Sequence, residues 1–250
     1  MRPNTNPLPD SLPLPPQEQA STSQDIEDFI YLISHDVRSS VRALIELPQW
    51  IAEDLEEAGV TIEGSVATSI DMMNRHTSRL DRMLVDLLTF SRIGRMQEMQ
   101  ENDLGKALDD VLDEVQLPKG FEVLRDLSCD SVVMGDRDIF TLLSALIQNS
   151  VKHHDWSSGR IVVTSSRDAD EVVIRVADDG PGVSDEFWEK VFCAMSTLRP
   201  RDEVEGSGMG LANVRKIATL YGGSAQMSAS PYGRGTMVEV RLKYPATHAA

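Results

Sequence analysis

The chain has 250 residues, 41% of them hydrophobic, enough for one large domain or two modest ones. A formal net charge of −16 argues against nucleic acid or an anionic membrane surface as the main partner, since both repel it. No apolar run approaches transmembrane length, the N-terminus lacks the apolar core of a signal peptide, and Cys129 and Cys193 lack metal-ligand spacing, so a soluble cytoplasmic protein with reduced thiols is expected.

Residues 1–22 hold Pro3, Pro7, Pro9, Pro13, Pro15 and Pro16 among polar side chains and read as a disordered or polyproline-like tail. Beyond them Ile26, Phe29, Ile30, Ile33, Val37, Val41, Leu44 and Ile45 recur at three- and four-residue steps, which predicts an amphipathic helix. Ser23 or Asp25 is the expected cap, Gly59 the expected stop, and Pro48 is expected to bend or divide the helix. His35 stands beside the apolar stripe and is followed at once by Asp36. A second long helix is expected over about 65–98, with Ile70, Met73, Thr77, Leu80, Leu84, Leu87 and Leu88 on one face. Two such helices cannot bury both faces alone, and a homodimeric four-helix bundle is the economical arrangement.

From about residue 99 the pattern changes to mixed helix and strand. Helices are expected over Leu104–Val115, Ile139–His153, from about Asp185, and over Gly210–Tyr221. Strands are expected over Phe121–Leu127, Ser131–Met134, Ile161–Ser165, Val172–Ala177, Ala225–Ser228 and Thr236–Leu242, with Asp168-Ala169-Asp170 as a hairpin link. The order suggests an α+β fold overall: a helical hairpin over 23–98, then an α/β sandwich over 99–250 with one sheet and helices on one face.

Three stretches of the second unit carry chemistry. Asn149 and Lys152 lie three apart on a helix and so share a face, offering an oxygen ligand and a cation that suit Mg²⁺ and phosphate. Asp178-Asp179-Gly180-Pro181-Gly182 follows a strand; its glycines allow a tight turn, and a fixed carboxylate accepts from an exocyclic amine. Gly206-Ser207-Gly208-Met209-Gly210-Leu211 opens a helix, where bare N–H groups and the positive dipole end face phosphate. Taken singly, these are also a decorated helix face, a strand-end turn and an ordinary glycine turn. The last does not follow a strand in a βαβ unit, which disfavours a dinucleotide fold, and no GxxxxGK[ST] loop is present.

In this order the motifs resemble the catalytic core of a two-component sensor histidine kinase: a dimerisation and histidine-phosphotransfer hairpin, then an ATP-binding domain of the gyrase–Hsp90–histidine kinase–MutL type. The resemblance covers about residues 23–244. It implies His35 as the phosphoacceptor, Asp36 as the acid that orients and deprotonates it, and Ser39 at the position that helps place water for regulator dephosphorylation. It implies Asn149 as the Mg²⁺-binding asparagine and Lys152 as the phosphate-contacting lysine, with His153 beside them. Asp178 is implied as the adenine reader, shaped by Gly180 and Gly182 and supported by Thr236. Gly206, Gly208, Gly210 and Leu211 match the second glycine box, and residues 193–205 the nucleotide lid. The chain departs from the family pattern at Ser40, where proline is usual, at Ala145, where asparagine is usual, and before the lid, where Val191-Phe192-Cys193-Ala194-Met195 lacks one phenylalanine. The implied activity is autophosphorylation of His35 from ATP with Mg²⁺ and transfer to an aspartate of a response regulator receiver domain, with input through the tail, the hairpin or a separate sensor protein. The alternatives are a phosphotransfer hub whose nucleotide domain no longer binds ATP, and an ATP-driven clamp of the chaperone or mismatch-repair kind.

Overall fold

The structure is a computed structural model describing residues 16–95, 97–199 and 206–243; for residues 16–29, 32, 34 and 35 it describes the backbone alone. The proline-rich residues 1–15, part of the expected lid and the His35 side chain lie outside the described set.

Helix α1 runs Pro16–Glu57 and α2 runs Gly64–Arg92. The first starts earlier than the expected caps at Ser23 or Asp25, with Pro16 at its first position, where a missing N–H costs nothing. Pro48 does not divide it; the residue is buried, and packing offsets the one lost backbone bond. Gly59 ends the helix as expected: at φ 72° it lets Val60 N–H reach Leu55 O at 2.8 Å while its own N–H reaches Glu56 O at 2.9 Å, the paired bonds of a Schellman cap. The helices return antiparallel, with Arg38 Nε 3.3 Å from Asp81 Oδ1 and the Arg92 guanidinium 5.6 Å from the Tyr31 ring centroid. Within one chain only part of the apolar surface is covered. Val41, Leu84 and Leu88 are buried, whereas Ile33, Val37, Leu44, Met73 and Leu80 stay exposed. No described helix is long and apolar enough to cross a membrane.

The second unit contains β1 (Gln100–Asp103), α3 (Leu104–Val115), β2 (Phe121–Leu127), β3 (Ser131–Met134), α4 (Asp136–Lys152), β4 (Gly159–Asp168), β5 (Glu171–Asp178), α5 (Gly210–Leu220), β6 (Ser224–Ala229) and β7 (Thr236–Lys243). Five strands form one sheet in the order β2-β4-β5-β7-β6, parallel between β2 and β4 and antiparallel elsewhere. β1 and β3 form a second, two-stranded antiparallel sheet, so the expectation of a single sheet is corrected. The strand β1 escapes a pattern search because Gln-Glu-Asn-Asp has no apolar alternation; pairing with β3 holds it. A two-residue link joins β4 to β5 with Ala169 at φ 53°. The helix expected from Asp185 is two single 3₁₀ turns, Asp185–Phe187 and Lys190–Phe192. Helices α3, α4 and α5 cover one face of the main sheet, and Leu142, Leu146, Ile147, Val214 and Ile217 meet Ile161, Val163, Ile174, Val238 and Val240 in the core. Alternating burial along β4 and β7 follows from one covered face.

Candidate nucleotide site

Between α4, the end of β5, the glycine loop before α5 and one face of α2 lies a cavity of about 700 Å³. Part of its polar lining comes from the expected residues. The turn spacing of α4 puts Asn149, Lys152 and His153 on the wall, and Asp178 closes it at the end of β5.

Asp178 is buried and held from three sides. Its Oδ1 accepts from Gly180 N–H at 3.0 Å and from Thr236 N–H at 3.1 Å, and its Oδ2 accepts from Thr236 Oγ1 at 2.8 Å. The expected supporting role of Thr236 thus corresponds to a direct bond between neighbouring strands. Gly180 supplies one of those donors, and Gly182, at φ 79°, turns the chain along the cavity. A carboxylate fixed in this way keeps its remaining lone pairs aimed rather than averaged over rotamers.

Gly206, Gly208, Gly210 and Leu211 line the opposite wall at the start of α5. Gly208 has φ 77°, and a side chain there would strike Ser196 O; at Gly206 it would strike Lys152 Nζ. The loop therefore stays bare where the lysine and the helix N-terminus converge, as a phosphate group requires. Ser207 Oγ accepts from Met209 N–H at 3.2 Å and stiffens the loop. Ala145, where the family has asparagine, packs against Gly210 at the cavity wall.

Desolvation lowers the His153 pKa from 6.5 to about 4, assisted by the positive charges of Lys152 and Arg199 and opposed by Asp178. The ring is therefore neutral at pH 7. Between about pH 6.5 and 4 the unfolded chain binds a proton there that the folded chain does not, so stability falls as pH falls through that window. His153→Gln is expected to flatten the drop in urea midpoint between pH 7 and pH 5. An equally steep drop in the variant overturns this assignment.

Its neighbour His154 has another task. The side chain is 1% exposed; its Nδ1 accepts from Trp156 N–H at 3.1 Å, which puts the ring proton on Nε2, 3.1 Å from Asp179 Oδ1. Asp179 Oδ1 also accepts from Arg160 N–H at 2.8 Å. Partial burial works to raise the Asp179 pKa, but these bonds outweigh it and hold the carboxyl below its usual range. Thus the first aspartate of the Asp-Asp pair faces the cavity, and the second ties the end of β5 to the α4–β4 connection.

The sequence reading missed the apolar wall of Val183, Phe187, Val191 and Met227, which carries no motif, and the α2 wall of Arg82, Val85 and Asp86. Among the described residues no group of three His, Cys, Asp or Glu side chains forms a metal cluster. Asn149 offers a hard amide oxygen on the phosphate side, which fits a cation that takes its other ligands from phosphate and water. His35, Asp36 and Ser39 lie on α1, and Asp36 and Ser39 are outside the described residues that line the cavity.

Residues 135–246 match the family described as histidine kinase-, DNA gyrase B-, and HSP90-like ATPase. The chain is 29% identical over 234 residues to the methanogenesis regulatory histidine kinase FilI of Methanothrix harundinacea, covering 91% of this chain and 26% of that protein. It is 29% identical over 243 residues to the sensor protein ChvG of Rhizobium meliloti, covering 88% of this chain and 40% of that one. The chain thus spans less than half the length of either relative. Two solved structures share the fold: full-length ShkA in complex with AMPPNP, at TM-score 0.64 and 21% identity over 88% of this chain and 47% of that one, and ThkA in complex with the response regulator protein TrrA, at TM-score 0.60 and 17% identity over 91% of this chain and 66% of that one.

Proposed function

We propose, from a kinship with two-component sensor histidine kinases that covers both the hairpin and a gyrase B- and HSP90-like ATPase domain, that this chain transfers the γ-phosphoryl group of ATP to His35 and then to an aspartate of a response regulator. The observation that carries the reading is the single cavity joining Asp178, Lys152, Asn149 and the glycine loop of α5: one end suits an adenine amine and the other a polyphosphate.

In the transfer, one imidazole nitrogen of His35 forms a bond to the γ-phosphorus while the bond from that phosphorus to the bridging β–γ oxygen breaks and ADP leaves. Asp36 takes the assigned part of fixing the ring tautomer and accepting the proton from the other ring nitrogen. Lys152, the α5 N-terminus and the bare loop neutralise phosphate charge, and Asp178 sets the register of the nucleotide. Asn149 would hold Mg²⁺, which would supply further neutralisation of phosphate charge. Incubation with γ-labelled ATP and Mg²⁺ tests the reading: acid-labile, base-stable label supports it, and an unlabelled protein that binds no ATP overturns it. The described residues carry the nucleotide features that a pure phosphotransfer hub does not need, which favours the kinase.

The working unit is proposed to be a cytoplasmic homodimer, with the hairpin (about residues 23–98) as its four-helix core and residues from about 99 as the nucleotide domain. Leu80 is 39% exposed and Leu84 is 7% exposed in one chain, so the two leucines separate assembly from folding. Leu80→Asp is expected to give folded monomers by sedimentation, and Leu84→Asp to destabilise the chain itself by roughly 3 kcal/mol or more, as a buried uncompensated charge does. A Leu80→Asp protein that sediments as a dimer sinks the four-helix bundle.

Ser39 is exposed one turn beyond His35 on α1. Serine keeps a hydroxyl to hold water but lacks the methyl that restricts threonine, so weak phosphatase activity is proposed. Slower regulator-phosphate decay with Ser39→Ala than with wild type is the expected result; fast and unchanged decay refutes it.

A further inference from the structure

Helix α2 runs alongside α5 in a fixed register. Gly94, just past the end of α2, lies against Leu220, so a side chain there would strike its Cδ2. One turn back, Lys216 Nζ donates to Phe90 O at 2.8 Å, with the ammonium 4.3 Å from the Phe90 ring centroid. Both pairs are separated by 126 residues, so the two segments run parallel and in step. Further back along α2, Arg82, Val85 and Asp86 line the same cavity as Gly208, Gly210 and Leu211 at the start of α5.

The ends of this register are pinned. Gly94 N–H donates to Asp138 Oδ1 and Oδ2 at 3.3 and 3.1 Å, Tyr221 Oη donates to Asp138 Oδ2 at 2.7 Å, and Gly135 N–H donates to Tyr221 Oη at 3.0 Å. Asp138 is 2% exposed, so the junction between hairpin and nucleotide domain is a buried, hydrogen-bonded joint rather than a loose linker.

We infer that Arg82 is a phosphate-anchoring residue of the nucleotide site, supplied by the hairpin; this rests on the nucleotide reading of the cavity. A guanidinium on the cavity wall would add planar donors to the charge of Lys152, which suit a phosphate chain and not a base. The neighbouring Asp81 points to the other side of α2 and holds Arg38 of α1, three residues beyond His35. A nucleotide with its full set of phosphates therefore touches the helix that packs on the phosphoacceptor helix. Asp86 lines the same cavity, but a carboxylate is no anchor for phosphate oxygens.

The test is binding of ATP, ADP and adenosine to the full chain and to Arg82→Gln and Arg82→Lys, followed calorimetrically. Arg82→Gln is expected to lose about tenfold in ATP affinity, the fold-change of one charge-assisted hydrogen bond. It is expected to lose less for ADP and nothing for adenosine, and Arg82→Lys is expected to recover part of the ATP loss. Wild-type ATP affinity in Arg82→Gln overturns the assignment, as does an equal loss for all three ligands, which marks a structural effect. If wild type itself binds no ATP, the nucleotide reading fails first and this inference with it.

Discussion

Replacing His35 with glutamine is expected to leave ATP bound and the protein without phosphate. The sequence has five histidines, His35, His76, His153, His154 and His248, and the described surroundings of His76, His153 and His154 rank those three as rival acceptors. His154 is committed through both ring nitrogens to Trp156 N–H and Asp179, and cannot attack without breaking a buried arrangement. His76 lies on α2 between Arg75 and Thr77 and has no adjacent acid. His153 is the true competitor, because its lowered pKa leaves a neutral imidazole on the cavity wall. The comparison that decides is therefore His35→Gln against His153→Gln, each incubated with γ-labelled ATP. Removing the acceptor nitrogen at His35 is expected to reduce labelling by about 10³-fold or more, as loss of a covalent nucleophile does elsewhere. Label that persists in His35→Gln and vanishes in His153→Gln overturns the assignment of the acceptor.

Asp178→Asn is expected to produce the largest loss in binding. The carboxylate receives Gly180 N–H, Thr236 N–H and Thr236 Oγ1, so its orientation is settled before any ligand arrives. The amide keeps one oxygen for the two backbone donors and turns its NH₂ toward the other side, where Thr236 Oγ1 can rotate to accept. An adenine amine arriving there then meets a donor in place of an acceptor. Losing a hydrogen bond to a charged group costs about 1.5–3 kcal/mol, roughly ten- to a hundredfold in ATP affinity. The carbonyl oxygen that guanine carries in place of the amine suffers no such conflict, so the preference for ATP over GTP is expected to shrink. Calorimetry with both nucleotides reads the two effects together. Unchanged ATP affinity in Asp178→Asn removes the base-reading role.

Much of this was legible because its causes are local. The long helices announce themselves by apolar spacing, the strands Phe121–Leu127 and Ser131–Met134 by β-branched and aromatic residues, and the site walls by clustered glycines, of which Gly182 and Gly208 sit at positive φ. What stayed hidden has non-local causes. Gln100–Asp103 is a strand only because Ser131–Met134 lies beside it. Pro48 fails to divide α1 because packing outweighs one lost bond. The step of 126 residues between α2 and α5 leaves no periodic mark in the chain, so Arg82 reads as an ordinary surface arginine until the two helices are laid side by side. Asp179 is a similar case, since nothing in Asp178-Asp179 tells the cavity carboxylate from the one bound to His154.

The bond from Thr236 to Asp178 also sets a time in the life of the molecule. Asp178 ends β5, but its anchor comes from β7, the last strand of the sheet to leave the ribosome. A nascent chain that stops before Thr236 already holds the hairpin, α4 and the glycine loop, yet its Asp178 keeps only the Gly180 N–H and lacks both bonds from Thr236, and Met227, with β6, has no strand to pair with. Such a chain has the parts of a nucleotide pocket and no selective pocket. Because ligand binds only the finished fold, nucleotide in the surrounding solution stabilises completed chains in proportion to its concentration and does nothing for truncated ones. Selective nucleotide uptake is thus expected only once β7 has paired with β5.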